Sequence, residues 1–193
     1  MTDQIDRLEA GATETETHVM CYLASMLYSF AGGRQGAVWG YDFAATGAGA
    51  PFSQDLSNSI TQLRASGHLR FDADTYSLSE TGAATRQTLV QHERFQARIE
   101  YLESAANTAL AMTLPMATGA VMLEPQLVSA TTIAHRRPLL DQAGLAILDP
   151  YFAGLRSQVS ADRAPADADL FSVAVLWLNY LRASSEKNLE HAV

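Results

Sequence analysis

Between Leu170 and Leu181 almost no face of a helix would be polar: Leu170, Phe171, Val173, Val175, Leu176, Trp177, Leu178, Tyr180 and Leu181 cover nearly all of it. A helix apolar all round has to be buried, either within its own chain or against another. The rest of the sequence can supply that burial. The chain has 193 residues and is 48% hydrophobic, too apolar for a disordered protein and long enough to form a core without disulfides or metal staples. No apolar run approaches the ~20 residues that span a bilayer. Residues 1–17 carry Asp3, Asp6, Glu9, Glu14 and Glu16 with no apolar centre. They read as a flexible acidic N-terminus, not a signal peptide. The single cysteine, Cys21, leaves no internal disulfide and no multi-cysteine zinc site. The expectation is a soluble, cytoplasmic protein.

Periodicity organises the chain. Val19, Leu23, Met26, Leu27 and Phe30 recur at helical steps, so a helix starts near Thr17 or His18 and stops at Ala31-Gly32-Gly33. Val38 to Phe43 is a strand or a short helix, and Ala44 to Ala50 a loop. Ser53 caps a second helix whose buried face is Leu56, Ile60 and Leu63, ending at Ser66-Gly67. Leu69 and Phe71, then Tyr76 and Leu78, alternate with polar residues around Asp72-Ala73-Asp74 and predict a short β-hairpin. Ser79 and Thr81 open a long helix near Gly82, with Phe95, Ile99, Leu102, Ala106 and Leu110 on its apolar face and Pro115 kinking or ending it. Glu124-Pro125 starts a further helical segment towards Asp141, interrupted by Pro138. Gly144 marks a turn, and Asp149-Pro150 starts a short helix through Arg156. A polar linker, residues 160–169, precedes the last helix, which Asp167 caps and which runs to Lys187. The expected fold is mainly α, an N-terminal winged helix over 18–88 with a short β-hairpin, followed by a helical extension over 89–193.

The winged-helix assignment rests on residues 51–82. A helix ends in L-x-x-x-G (Leu63, Gly67), a hairpin follows, and then Y-x-L-[ST]-x-x-G (Tyr76, Leu78, Ser79, Gly82). This resembles a pattern of many winged-helix proteins, in which Leu63 packs under the hairpin and Tyr76 and Leu78 return to the core. Tyr41-Asp42-Phe43 with Ala50-Pro51-Phe52-Ser53 is similar to the F-x-F and G-P-[FY]-S pattern of small prokaryotic winged-helix proteins related to the Panacea and SocA-like group. It departs at Tyr41, where that pattern has phenylalanine, and at Ala50, where it favours glycine. The overall plan is similar to acidic winged-helix accessory subunits of bacterial multi-subunit ATPases. These include subunits bound to the kleisin of chromosome-segregation ATPases and the middle components of Lamassu-type defence systems. The resemblance implies a protein partner or self-association.

Charge bears on whether such a domain reads DNA. The net charge is −8, and Lys187 is the only lysine. Nucleic-acid affinity comes largely from cations that neutralise phosphates. From Tyr41 to Gly82 two arginines face Asp42, Asp55, Asp72, Asp74 and Glu80, a net of −3, with two of the acids at the wing tip. Gln54, Asn58, Gln62, Arg64 and Arg70 are the residues available for DNA contact. The charge favours a protein partner, for which Leu170, Phe171, Val173, Trp177, Tyr180 and Leu181 form the expected interface.

Chemistry is sparse. No phosphate-binding loop, nucleophile elbow or zinc-protease motif occurs. Gly32-Gly33-Arg34-Gln35-Gly36 lacks a lysine and reads as a helix stop. The five histidines are scattered, Cys21 reads as a small buried filler, and His135-Arg136-Arg137 caps a helix end or binds an acidic surface. Arg94 and Arg98 lie among Glu93, Glu100 and Glu103, which suggests pairing within the helix. The chain therefore reads as non-enzymatic, with no cofactor and no metal expected.

Overall fold

Thr13 begins the fold. Its hydroxyl accepts from the Glu16 amide at 3.2 Å while the Glu16 carboxylate accepts from the Thr13 amide at 2.9 Å, a reciprocal capping box that starts helix α1 (Glu14–Phe30). The computed structural model describes residues 11–32, 41–133, 138–159 and 169–190. Of the expected flexible N-terminus, residues 11–17 belong to the fold and residues 1–10 lie outside the described residues. The Ala12 amide donates to the Tyr76 carbonyl at 3.0 Å and the Tyr76 amide to the Ala12 carbonyl at 2.7 Å, tying this segment to the hairpin. Helix α1 thus starts before the expected Thr17, because a T-x-x-E pair caps it.

Strand β1 (Phe43–Ala45) pairs antiparallel with β2 (Pro51–Phe52) across a turn that Thr46 closes, its hydroxyl bonded to both the carbonyl and the amide of Ala50. The expected loop therefore includes strand ends. Ser53 caps α2 (Gln54–Ala65), accepting from the Leu56 amide at 3.4 Å. Gly67, with φ at +75°, turns the chain into the hairpin of β3 (Leu69–Asp72) and β4 (Thr75–Leu78), in register Leu69 opposite Leu78. Ala73 and Asp74 both take the left-handed backbone of a tight hairpin turn.

Ser79 links hairpin and helix. Its hydroxyl donates to the Gly67 carbonyl at 2.6 Å and accepts from the Gly82 amide at 3.0 Å, capping α3 (Glu80–Leu89). Gly82 lies so close to the hairpin that a Cβ there would run into the His68 backbone carbonyl. Backbone cannot swing aside as a side chain can, so only glycine fits this end of the motif. Gly82→Ala should cost about 2 kcal/mol, the overpacking range, and lower the urea midpoint. An unchanged midpoint would show that α3 and the hairpin separate freely.

The expected long helix is two. After α3 the chain breaks at Val90 to His92, and α4 (Glu93–Met112) follows, capped by His92 without a side-chain bond. Helix α4 ends as expected before Pro115, which sits in the first turn of α5 (Leu114–Val121). Its buried side chains are Ala105, Thr108, Ala109 and Met112, whereas Leu102 and Ala106 are exposed. Next come α6 (Pro125–Ile133) and β5 (Pro138–Leu139), which pairs with the free edge of β1 to give the order β2-β1-β5. Helix α7 (Gln142–Val159) then runs unbroken through the expected Gly144 turn. Asp141 accepts from the Gly144 amide at 2.7 Å, and Pro150 lies on an exposed side, where water can bond the carbonyl its missing N–H frees. Helix α8 (Leu170–Glu190) is capped by Asp169 rather than by the expected Asp167, which lies outside the described residues.

The chain is thus mainly α with a short β-hairpin. Helix α1 packs against α4, α5 and α8, and one continuous core runs from Val19 through Leu56, Ala105, Leu127 and Phe152 to Leu181. The expected boundary at 88–89 separates no two cores, because α1 is covered by the extension and β5 of the extension completes the sheet of β1.

Candidate functional site

Helix α8 resolves the apolar sequence into a stripe. Leu170, Val173, Ala174, Trp177, Leu178 and Leu181, each at most 5% exposed, recur at helical spacing and face the chain's own core. Four of the six expected interface residues, Leu170, Val173, Trp177 and Leu181, are therefore interior, and this corrects their assignment to a partner. Phe171 is half-buried, and Tyr180 is 45% exposed. Tyr180 stacks on Trp177 with ring centres 5.8 Å apart and meets Tyr151 at 5.8 Å. Around these two tyrosines, with Leu123 and Val128 exposed beside them, lies a shallow depression of about 720 Å³. Leu123 and Val128 were not singled out from the sequence; Leu123 lies in the turn between α5 and α6, and Val128 in a short helix with no clear apolar face.

The surface that would read DNA is already engaged. The Gln54 amide donates to Asn58 at 3.2 Å. The Arg64 guanidinium lies 4.5 Å over the Phe71 ring, and the Arg70 guanidinium donates to the Leu78 carbonyl at 3.2 Å. Gln62 is exposed. Glu14 of α1 accepts from the Ser57 hydroxyl, which sets a further carboxylate beside α2. Gln54, Asn58 and Gln62 do share one line along the helix, but they do so amid acids.

A deeper groove lies between the hairpin, α2 and α3 on one side and α4 on the other. It encloses about 400 Å³ and its lining is mostly apolar. Leu63 and Leu78, expected in the core, are 42% and 45% exposed at its walls, and Leu89 and Leu102 are 39% and 38% exposed there. The helical period places Leu63 on the buried side of α2, but nothing in the described residues covers its outer end. Cys21 reaches the floor from α1; burial pushes its thiol up to about 12, so it is a neutral filler and no nucleophile. At the rim, Arg86 of α3 pairs with Glu103 of α4 at 3.7 Å, an exposed pair across two helices, while the Arg94 side chain of the expected pairing lies outside the described residues. Arg98 also lines the groove, and among the described residues it makes no ion pair or hydrogen bond; its Nε is buried without a partner.

Two buried polar groups brace the interior. His18 Nε2 stands 3.1 Å from the Ser53 carbonyl, which only accepts, so this nitrogen carries the proton; burial lowers its pKa and keeps the ring neutral. Glu124 caps α6, one carboxylate oxygen accepting from the Gln126 and Leu127 amides at 3.2 and 3.3 Å and from the Tyr22 hydroxyl at 3.4 Å. Burial nonetheless raises its pKa to about 7, against the pull of these bonds. Its other oxygen and the Gln126 amide are buried and unpartnered, with Gly144 leaving room for the Gln126 oxygen.

Among the described residues no three His, Cys, Asp or Glu side chains converge as metal ligands, and no helix is long and apolar enough to cross a membrane. The basic run His135-Arg136-Arg137 and the stretch Gly33 to Gly40 lie outside the described residues. No family model matches the chain, and neither a curated protein nor a solved structure does.

Proposed function

We propose that the chain is a non-enzymatic interaction protein, a winged-helix accessory subunit of a larger prokaryotic assembly of the ATPase or defence kind, or a homodimeric adaptor. The observation that carries this reading is the wing. Arg70 on the hairpin is bound to the Leu78 carbonyl, Arg64 of the adjoining α2 lies over Phe71, and Asp72 and Asp74 occupy the hairpin tip. A phosphate backbone meets repulsion there. The apolar depression around Tyr151 and Tyr180 is the surface that fits a protein partner, since exposed apolar patches with aromatic anchors are favoured at interfaces.

The second reading is a DNA-binding regulator using Gln54, Asn58, Gln62, Arg64 and Arg70, and the line of Gln54, Asn58 and Gln62 along α2 favours it. Fluorescence anisotropy against random and genomic DNA at two salt concentrations separates the two. The expected result is no salt-sensitive binding at micromolar protein. Tight binding whose salt slope falls by about one on Arg70→Ala would establish the regulator instead. Sedimentation of wild type and Tyr180→Asp tests the contact surface: the substitution should leave the fold intact and weaken association.

A further inference from the structure

We infer that the hairpin is a dimerisation edge: strand β3 of one copy pairs antiparallel with β3 of a second copy, Phe71 opposite Phe71 across a two-fold axis. This names a partner for the interaction protein proposed above and rests on that reading.

The backbone leaves the edge available. The Tyr76 amide and carbonyl are both bonded to Ala12, on the side of β4 away from β3. In an antiparallel ladder a residue's amide and carbonyl lie on one side, and bonded and non-bonded pairs alternate. Phe71, opposite Tyr76, is therefore in a non-bonded pair, and its own amide and carbonyl point out from the far edge of β3. The Ser79 amide donates to the His68 carbonyl three positions along the ladder, which fits the same alternation. Among the described residues this sheet has two strands, so none pairs with that edge. Arg70, Phe71 and Asp72 are exposed along it, and β3 has no proline, lysine or bulge of the kind that blunts an edge strand.

The side chains select the partner. An edge that meets its own copy across a two-fold axis must be complementary to itself. With Phe71 opposite Phe71, Arg70 of each copy stands opposite Asp72 of the other, so two opposite-charge pairs flank the central backbone bonds. Moving the axis by one residue either way sets Arg70 against Arg70 or Asp72 against Asp72, and both repel. The Arg70 guanidinium already donates to the Leu78 carbonyl, but its fork has about five donors and leaves others for the carboxylate. The chain as a whole carries a charge of −8 and repels its copies, whereas β3, with one arginine and one aspartate, is neutral.

The test is sedimentation of the full chain in a Tyr180→Asp background, which removes the separate surface at the depression. A concentration-dependent dimer should remain. Asp72→Arg should weaken it at least about tenfold, although this change reduces the general repulsion, and Arg70→Asp should do likewise. Combining the two restores opposite charges across the axis and should restore the dimer, which excludes misfolding as the cause of the losses. Hydrogen exchange gives a second readout: the Phe71 amide should exchange freely in dilute protein and be protected in concentrated protein. A monomer at every concentration, a dimer indifferent to Asp72→Arg, no recovery in the combined variant, or a Phe71 amide that exchanges alike throughout would each overturn the assignment. The interaction-protein reading is decided separately, by the DNA titration and by wild type against Tyr180→Asp; association lost wholly on Tyr180→Asp would uphold the depression and overturn the hairpin edge.

Discussion

Trp177→Asp should unfold the protein outright. Trp177 is 2% exposed and packs edge-on against Tyr151 at 5.7 Å in the stripe that joins α8 to the core. Truncating a buried tryptophan alone costs about 3–5 kcal/mol. Aspartate adds an unpaired charge where no partner exists, so the loss exceeds ~5 kcal/mol and meets the whole stability of an ordinary domain, ~5–15 kcal/mol. Circular dichroism and urea denaturation decide it. Tyr180→Asp, one turn away at a half-exposed position, should cost only about 1 kcal/mol. The contrast separates a helix held by its own chain from one held by a partner. A cooperative, near-native Trp177→Asp would place α8 outside the core.

Glu124→Gln should abolish a pH dependence of stability. The carboxyl keeps its proton in the folded state to about 7, whereas the ordinary value is 4.5. Between these values the folded protein holds one more proton than the unfolded chain, so stability falls as pH rises from 4.5 to 7 and levels off above. The fall is about 3 kcal/mol. Glutamine keeps a carbonyl oxygen to cap α6 and has nothing to ionise, so the variant should lose this slope and gain stability above pH 7. His18 works the other way: its folded pKa lies below 6.5, so its contribution is present above about 6.5 and is lost as pH falls. Subtracting the variant's curve from the wild type's cancels His18 and isolates Glu124. A flat difference curve would show the carboxylate to be hydrated.

Local signals were legible in the sequence where the physics is local. Ser53 and Ser79 cap the helices expected of them, the Asp72-Ala73-Asp74 turn closes a hairpin, and Pro115 separates two helices. Thr13 and Glu16 carry an equally local signal, hidden among acids that read as a tail. The misreadings share one cause, which is that periodicity marks an apolar face without saying what covers it. Trp177 and its neighbours are apolar enough for an interface, yet α1 and α4 supply the cover from within the chain. Leu63 and Leu78 have the spacing of core residues, yet the opposing helix α4 stands back and leaves a groove. Arg98 resembles the other helix arginines, and only the fold shows its Nε buried beside the groove without a partner. Glu124 and Gln126 sit at a plain E-P helix start, and only tertiary packing buries them.

The shared strand pairing of β1 with β5 governs how the protein can be dissected. A fragment truncated after residue 88 would carry α1 with its oily flank bare and β1 with an open edge, and such a piece would clump rather than report on the N-terminal segment alone. Activity surveys of this chain therefore belong on the intact polypeptide, with single-site changes in place of deletions.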